Sequence, residues 1–144
     1  GLITIEDVRR GQWSDMKVEG EIVADSAADG ESVEISLPQD PGQAGKFQAR
    51  YLVSKLQGRN VRAEPETGDK VTRAGPISAQ CEAGNVQMVK ADCNEAVLRV
   101  LERFPVGKKD DVDALSGGYR HLTEHTPPGY GDLKKDAVAW HRRR

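Results

Sequence analysis

The residues with the clearest chemical potential are aspartates placed where helices begin. Asp110-Asp111-Val112-Asp113 opens a helical pattern late in the chain. At about 100° per residue, Asp110 and Asp113 lie about 60° apart on one face, while Val112, Leu115, Tyr119 and Leu122 gather on the opposite side. Gly117 falls on the carboxylate face one turn later, so nothing bulky overhangs the pair. Asp40 stands just past a period-2 apolar segment and just before Pro41, at the kind of strand end where ligands enter open α/β sheets. Carboxylates so placed suit hard divalent cations, which take oxygen ligands. Paired Mg²⁺ ions held by shared carboxylates are the usual device for hydrolysing a phosphodiester. A plainer reading stands beside each. Asp40 can cap the helix that follows it, and acids in a first turn answer the positive end of the helix dipole on a solvated face.

Other matches carry less. Gly42-Gln43-Ala44-Gly45-Lys46 has its glycines too close for a phosphate loop, and Phe47 stands where a Ser or Thr would hold magnesium. His121-Leu122-Thr123-Glu124-His125 fits the H-x-x-E-H zinc pattern literally. Pro127 and Pro128 cut off its continuation, however, and no downstream carboxylate ligand follows convincingly. Cys81 and Cys93 have neither metal-ligand nor redox-motif spacing and read as reduced cytosolic thiols.

The elements that must position these residues follow from periodicity. Ile3 and Ile5 share one face of an opening strand, and Ser14 caps a helix running to about Ala28, with Met16, Ile22 and Val23 among its apolar contacts and Gly30 at its end. Val33–Leu37 alternates as a strand stopped by Pro38. Pro41 opens a helix whose buried stripe is Phe47, Tyr51, Val53 and Leu56, and Gly58 ends it. A strand near Val61, a helix over about 69–83, a strand at Val86–Val89, a helix over 94–104 and the helix from Asp110 complete the order. Strand–helix alternation of this kind predicts α/β layering with a largely parallel sheet. The expected organisation is one domain over 1–126, followed by a loosely ordered basic tail over 127–144.

The chain has 144 residues, 37% hydrophobic and 31% charged, enough to bury a core without staples. It has no apolar run long enough for a membrane span, and no partner membrane is expected. The net charge of -2 conceals segregation. Residues 19–40 hold seven acids and no base, whereas residues 41–73 hold seven bases against three acids. A basic middle segment of this kind can track a polyanion.

Four motifs in register carry a family resemblance. They are Leu37-Pro38-Gln39-Asp40-Pro41-Gly42-Gln43-Ala44-Gly45-Lys46, Thr67-Gly68-Asp69-Lys70-Val71-Thr72-Arg73-Ala74, Glu82-Ala83-Gly84-Asn85-Val86 and Asp110-Asp111-Val112-Asp113-Ala114-Leu115-Ser116. With Val8–Ser14 before them, they resemble the C-terminal nuclease domain of tailed-phage terminase large subunits, to about residue 120.

The resemblance implies a ribonuclease-H-like mixed sheet flanked by helices, with an acidic cluster that binds two Mg²⁺ or Mn²⁺ ions and cuts concatemeric double-stranded DNA during packaging. It makes Asp40, Asp110 and Asp113 the catalytic, metal-binding acids and sets Lys46, Lys70 and Arg73 against the DNA backbone, where contacts position a duplex without reading its sequence. It also implies a terminase small subunit and a portal as partners, in the bacterial host cytoplasm. Two features depart from the family pattern. The family's first acid, its opening strand or strands and its ATPase motor have no counterpart here, and Lys109 stands where relatives usually carry an acid. The expectation is therefore a weakly active or inactive fragment with an open sheet edge that invites a homodimer. A non-catalytic DNA- or partner-binding remnant of the same fold and a junction-resolvase-like nuclease are the alternatives.

Overall fold

The computed structural model describes residues 1–125 and 139–140. In chain order the elements are β1 (Ile3–Ile5), α1 (Asp15–Asp29), β2 (Glu34–Gln39), α2 (Gln43–Lys55), β3 (Asn60–Pro65), α3 (Lys70–Glu82), β4 (Val86–Met88), α4 (Asn94–Arg103), α5 (Asp110–His125) and β5 (Ala139–Trp140). They divide into two compact units, one built from Gln12–Gly68 with β5, the other from Gly1–Gly11 and the chain from Asp69.

In the first unit β2 lies between β3 and β5, parallel to both. Ile35 and Leu37 of β2 are each 1% exposed and form the core with Val18 and Ile22 of α1 and Leu52 and Leu56, with Trp13 and Val61 packed against it. Ser14 caps α1 by accepting a hydrogen bond from the Lys17 N–H at 3.3 Å. In the second unit β1 and β4 pair in parallel, Ile3 opposite Val86 and Ile5 opposite Met88. Helices α3 and α4 both pack on α5, and among the described residues of this unit Ile5, Ala74, Ile77, Val97, Val112 and Leu115 are the buried apolar ones.

The α/β alternation and the parallel pairing are as expected, while every described pairing is parallel and the strands form two separate sheets. Several local expectations are corrected. Pro38 does not stop β2, which runs through it to Gln39 in register with β3. In that register Pro38 lies opposite Glu64 of β3, and among the described residues the β5 pairing covers Ile35 and Ser36. Of the expected stripe on α2, Leu56 is buried at 3% exposure, but Phe47 is 74% exposed, and Tyr51 and Val53 are also exposed. The face turned inward is Gly45, Ala49 and Leu52, because small residues let the helix lie close to its neighbours. On α1, likewise, Met16 and Val23 are exposed and Val18, Ile22 and Ser26 are buried. The expected basic tail lies outside the described residues, apart from Ala139–Trp140, which add a strand. Among the described residues no helix is long and apolar enough to cross a membrane.

Candidate active site

The α3–α5 contact is built from the start of each helix. Asp69 caps α3: its Oδ1 accepts from the Thr72 N–H at 3.0 Å and its Oδ2 from the Thr72 hydroxyl at 2.6 Å. The Thr72 hydroxyl, and after it the Thr72 N–H, hold the Asp69 carboxyl below its ordinary value. That cap fixes the first turn, and three-residue spacing puts Lys70 and Arg73 on neighbouring positions of one face. Both cations reach Asp113 in the first turn of α5. Arg73 Nη2 donates to Asp113 Oδ1 at 2.9 Å, and Lys70 Nζ donates to Oδ2. The Asp113 and Arg73 side chains are 16% and 17% exposed, against 41% for Lys70.

Asp111, one residue beyond Asp110, turns the other way. Its side chain is 3% exposed and is gripped by Arg10, with Nη2 at 2.9 Å from Oδ2 and Nε donating to Oδ1 at 3.2 Å. The Nε–Oδ1 contact is a charge-assisted hydrogen bond, and the Nη2–Oδ2 approach adds charge attraction without a second one. Sequence reasoning missed this pair, although a signal exists. Asp111, Leu115, Gly118 and Leu122 share a helical face by their spacing, and an acid buried among such residues requires a cation. Asp110 itself is half-buried at the start of the helix.

In the other unit, Asp40 follows the last residue of β2 and is exposed. It does not cap α2. Gly42 takes the N-cap position at φ 98°, with no side-chain cap hydrogen bond. The turn is tight enough that a Cβ at Gly45 would fall 2.1 Å from the Asp40 carbonyl oxygen, so only glycine lets the first turn of α2 rest on the Asp40 backbone. Lys46 follows it and is exposed.

The structure thus brings Lys70, Arg73 and Asp113 together and sets Asp110 in the same turn of α5, while Asp40 and Lys46 belong to the β2–α2 turn of the other unit. The histidines of the H-x-x-E-H run lie along α5, with ring centroids 4.8 Å apart and His121 buried. For a divalent cation the donor chemistry at Asp40 and Asp110 fits, since both offer carboxylate oxygen. The Asp111 carboxylate is ion-paired to Arg10 and that of Asp113 to Lys70 and Arg73.

A family model for the terminase RNaseH-like domain matches residues 8–122. That span takes in Asp40, Lys46, Lys70, Arg73, Asp110 and Asp113. Neither a curated protein nor a solved structure matches the chain.

Proposed function

Because the chain belongs to the terminase RNaseH-like domain family, we propose that it is the metal-dependent endonuclease domain of a phage DNA-packaging terminase, acting on concatemeric double-stranded DNA in the bacterial host. The observation that carries this reading is the family match over 8–122. In the same reading its packaging partners are a small subunit and a portal.

In this reading the acidic set is Asp40, Asp110 and Asp113. Asp40 and Asp110 hold Mg²⁺ or Mn²⁺, and Asp113 enters through the two cations it binds. Two bound ions supply an activated water and neutralise charge on the departing oxygen of a phosphodiester. The chain's own residues do the positioning. Lys46 and Lys70 present cations to the backbone with Arg73 beside Lys70 on α3, and Arg10 anchors the turn from which Asp110 projects by holding Asp111.

Two measurements test the reading. Asp110→Asn or Asp40→Asn should lower Mn²⁺ affinity of the 144-residue chain by about tenfold or more. Either change in the intact terminase subunit should abolish cleavage of linear duplex DNA. Retained cutting by either variant refutes the assignment.

A second reading, a DNA-binding remnant that does not cut, is favoured by one observation: the Asp113 carboxylate is shared between Lys70 and Arg73. Salt-dependent retention of duplex by the intact subunit, without metal-dependent cutting, selects it.

A further inference from the structure

Two cations from one helix converge on a single carboxylate of another. Lys70 and Arg73 are both ion-paired to Asp113, one to each oxygen. Lys70 and Arg73 thus place two positive charges on one carboxylate, and Lys70 is the more exposed of the two. Asp69, the acid closest to them in sequence, has both its oxygens turned back onto Thr72. Exposure is uneven across the trio. The Arg73–Asp113 contact is largely buried, whereas the Lys70 side chain is 41% exposed. The cluster therefore opens to solvent on its lysine side.

A phosphodiester oxygen and a carboxylate oxygen offer the same hydrogen-bond acceptor chemistry to an ammonium or guanidinium. An ion pair that is open to water on one side gains little net energy from its attraction. Exchange of one anion for the other is therefore inexpensive, and a polyanion adds the entropy of released counterions.

We propose that Asp113 is an internal stand-in for a DNA phosphate. In the DNA-free protein it holds Lys70 and Arg73 together. When duplex binds, Lys70 passes from Asp113 to a backbone phosphate, while Arg73 stays on the carboxylate and keeps α3 and α5 in register. The proposal deepens the reading of this chain as a DNA-acting domain and rests on it. It also gives Asp113 a role that needs no metal: the acid lowers the affinity of this surface for DNA until a phosphate displaces it.

The test is duplex binding by the full chain in EDTA, where neither metal nor cleavage contributes. Asp113→Asn keeps the shape and removes the charge. It should tighten binding of a short mixed-sequence duplex by about threefold to tenfold at low salt, with the slope of log K against log salt little changed, since Lys70 meets the phosphate in both chains. Adding Lys70→Gln to Asp113→Asn should cancel the gain. The unaltered chain supplies a second readout that does not depend on how the variant folds. On titration with the duplex, the Lys70 Nζ and Asp113 Cγ resonances should both move, whereas the Arg73 Nε resonance should stay close to its starting position.

Unchanged or weaker binding by Asp113→Asn overturns the proposal, as does a duplex titration that leaves Lys70 Nζ and Asp113 Cγ unmoved. Failure of duplex binding by both chains overturns this proposal and the DNA-acting reading together. Loss of metal-dependent cleavage alone bears only on the nuclease reading, so the two failures are distinguishable.

Discussion

Asp111 shows how a single buried acid organises the start of α5. With 3% of its side chain exposed and the Arg10 guanidinium against both oxygens, it is a charge whose removal from water Arg10 helps to offset. Replacing a buried pair with matched apolar residues is often tolerated, but removing one partner strands the other. Arg10→Ala should therefore destabilise the protein by about 3–5 kcal/mol, read as a shift in the midpoint of urea unfolding. Arg10→Ala combined with Asp111→Leu should recover much of that loss. If the single variant unfolds at the midpoint of the parent, the pair is not a structural anchor. Asp69 offers a contrast at the surface. Its carboxyl is held low by the Thr72 hydroxyl and N–H, so the charged form favours the folded chain. That contribution is present above the unfolded value and is lost as pH falls through the lowered folded value. Asp69→Ala should accordingly lower the melting temperature at neutral pH. The difference from the parent should start to shrink as pH falls past the ordinary 3.8 and vanish only below the lowered folded value. A difference that persists in acid would mean that the cap acts through something other than carboxylate charge.

At the scale of the element, α2 tests what holds a helix in place. Gly45, Ala49 and Leu52 are its inner face, and the close approach of Gly45 to the Asp40 carbonyl sets how β2 hands the chain to α2. Gly45→Ala should cost about 1–3 kcal/mol through overpacking, and Leu52→Ala about 2–5 kcal/mol through the cavity it leaves. Phe47→Ala should stay within about 0.5 kcal/mol of the parent. Urea unfolding of the three variants separates the phases, and a large loss at Phe47 with none at Leu52 would reverse the inward face. The error in the expected stripe is instructive. Phe47 and Tyr51 are the bulkiest residues on the helix, and weighting by bulk selects them, whereas the close approach to Asp40 selects glycine and alanine. Where caps decide, the sequence is easier to read. Ser14 and Asp69 start α1 and α3 as expected, and Gly84 at φ 73° follows the end of α3. The late helix begins at Asp110 as its acid run predicts. The β5 strand was not legible, because two residues in a basic, proline-preceded tail have no period to detect and gain their pairing only from β2. At the site, Lys70 and Arg73 were legible as neighbours on one face. Their meeting with Asp113 was not, since nothing in helical spacing says which helix lies opposite.

For the molecule as a whole, the question is which of its segregated charges are left to meet DNA. The acidic block over 19–40 and the basic block over 41–73 partly neutralise each other inside one unit. Arg62 donates to Glu34 at 2.6 Å, Lys55 lies 3.5 Å from Glu19, and the Tyr51 hydroxyl donates to Glu19 at 3.0 Å. The Tyr51 hydroxyl and, less strongly, Glu19 keep the Lys55 ammonium charged by raising its pKa, so its charge is present yet answered locally. Lys46 is instead exposed at the first turn of α2, and the Lys70 side chain, though paired to Asp113, is 41% exposed. The count of bases in the middle segment therefore overstates the charge available to a polyanion. Each cation that meets a phosphate adds about 0.9 to the slope of log K against log salt for duplex DNA. Lys46→Gln and Lys70→Gln should each flatten that slope by about one, while Lys55→Gln and Arg62→Gln should leave it nearly unchanged. Equal flattening by all four would mean that the surface binds duplex as a diffuse basic field. The α3–α5 cluster would then contribute no more than any other pair of cations on the chain.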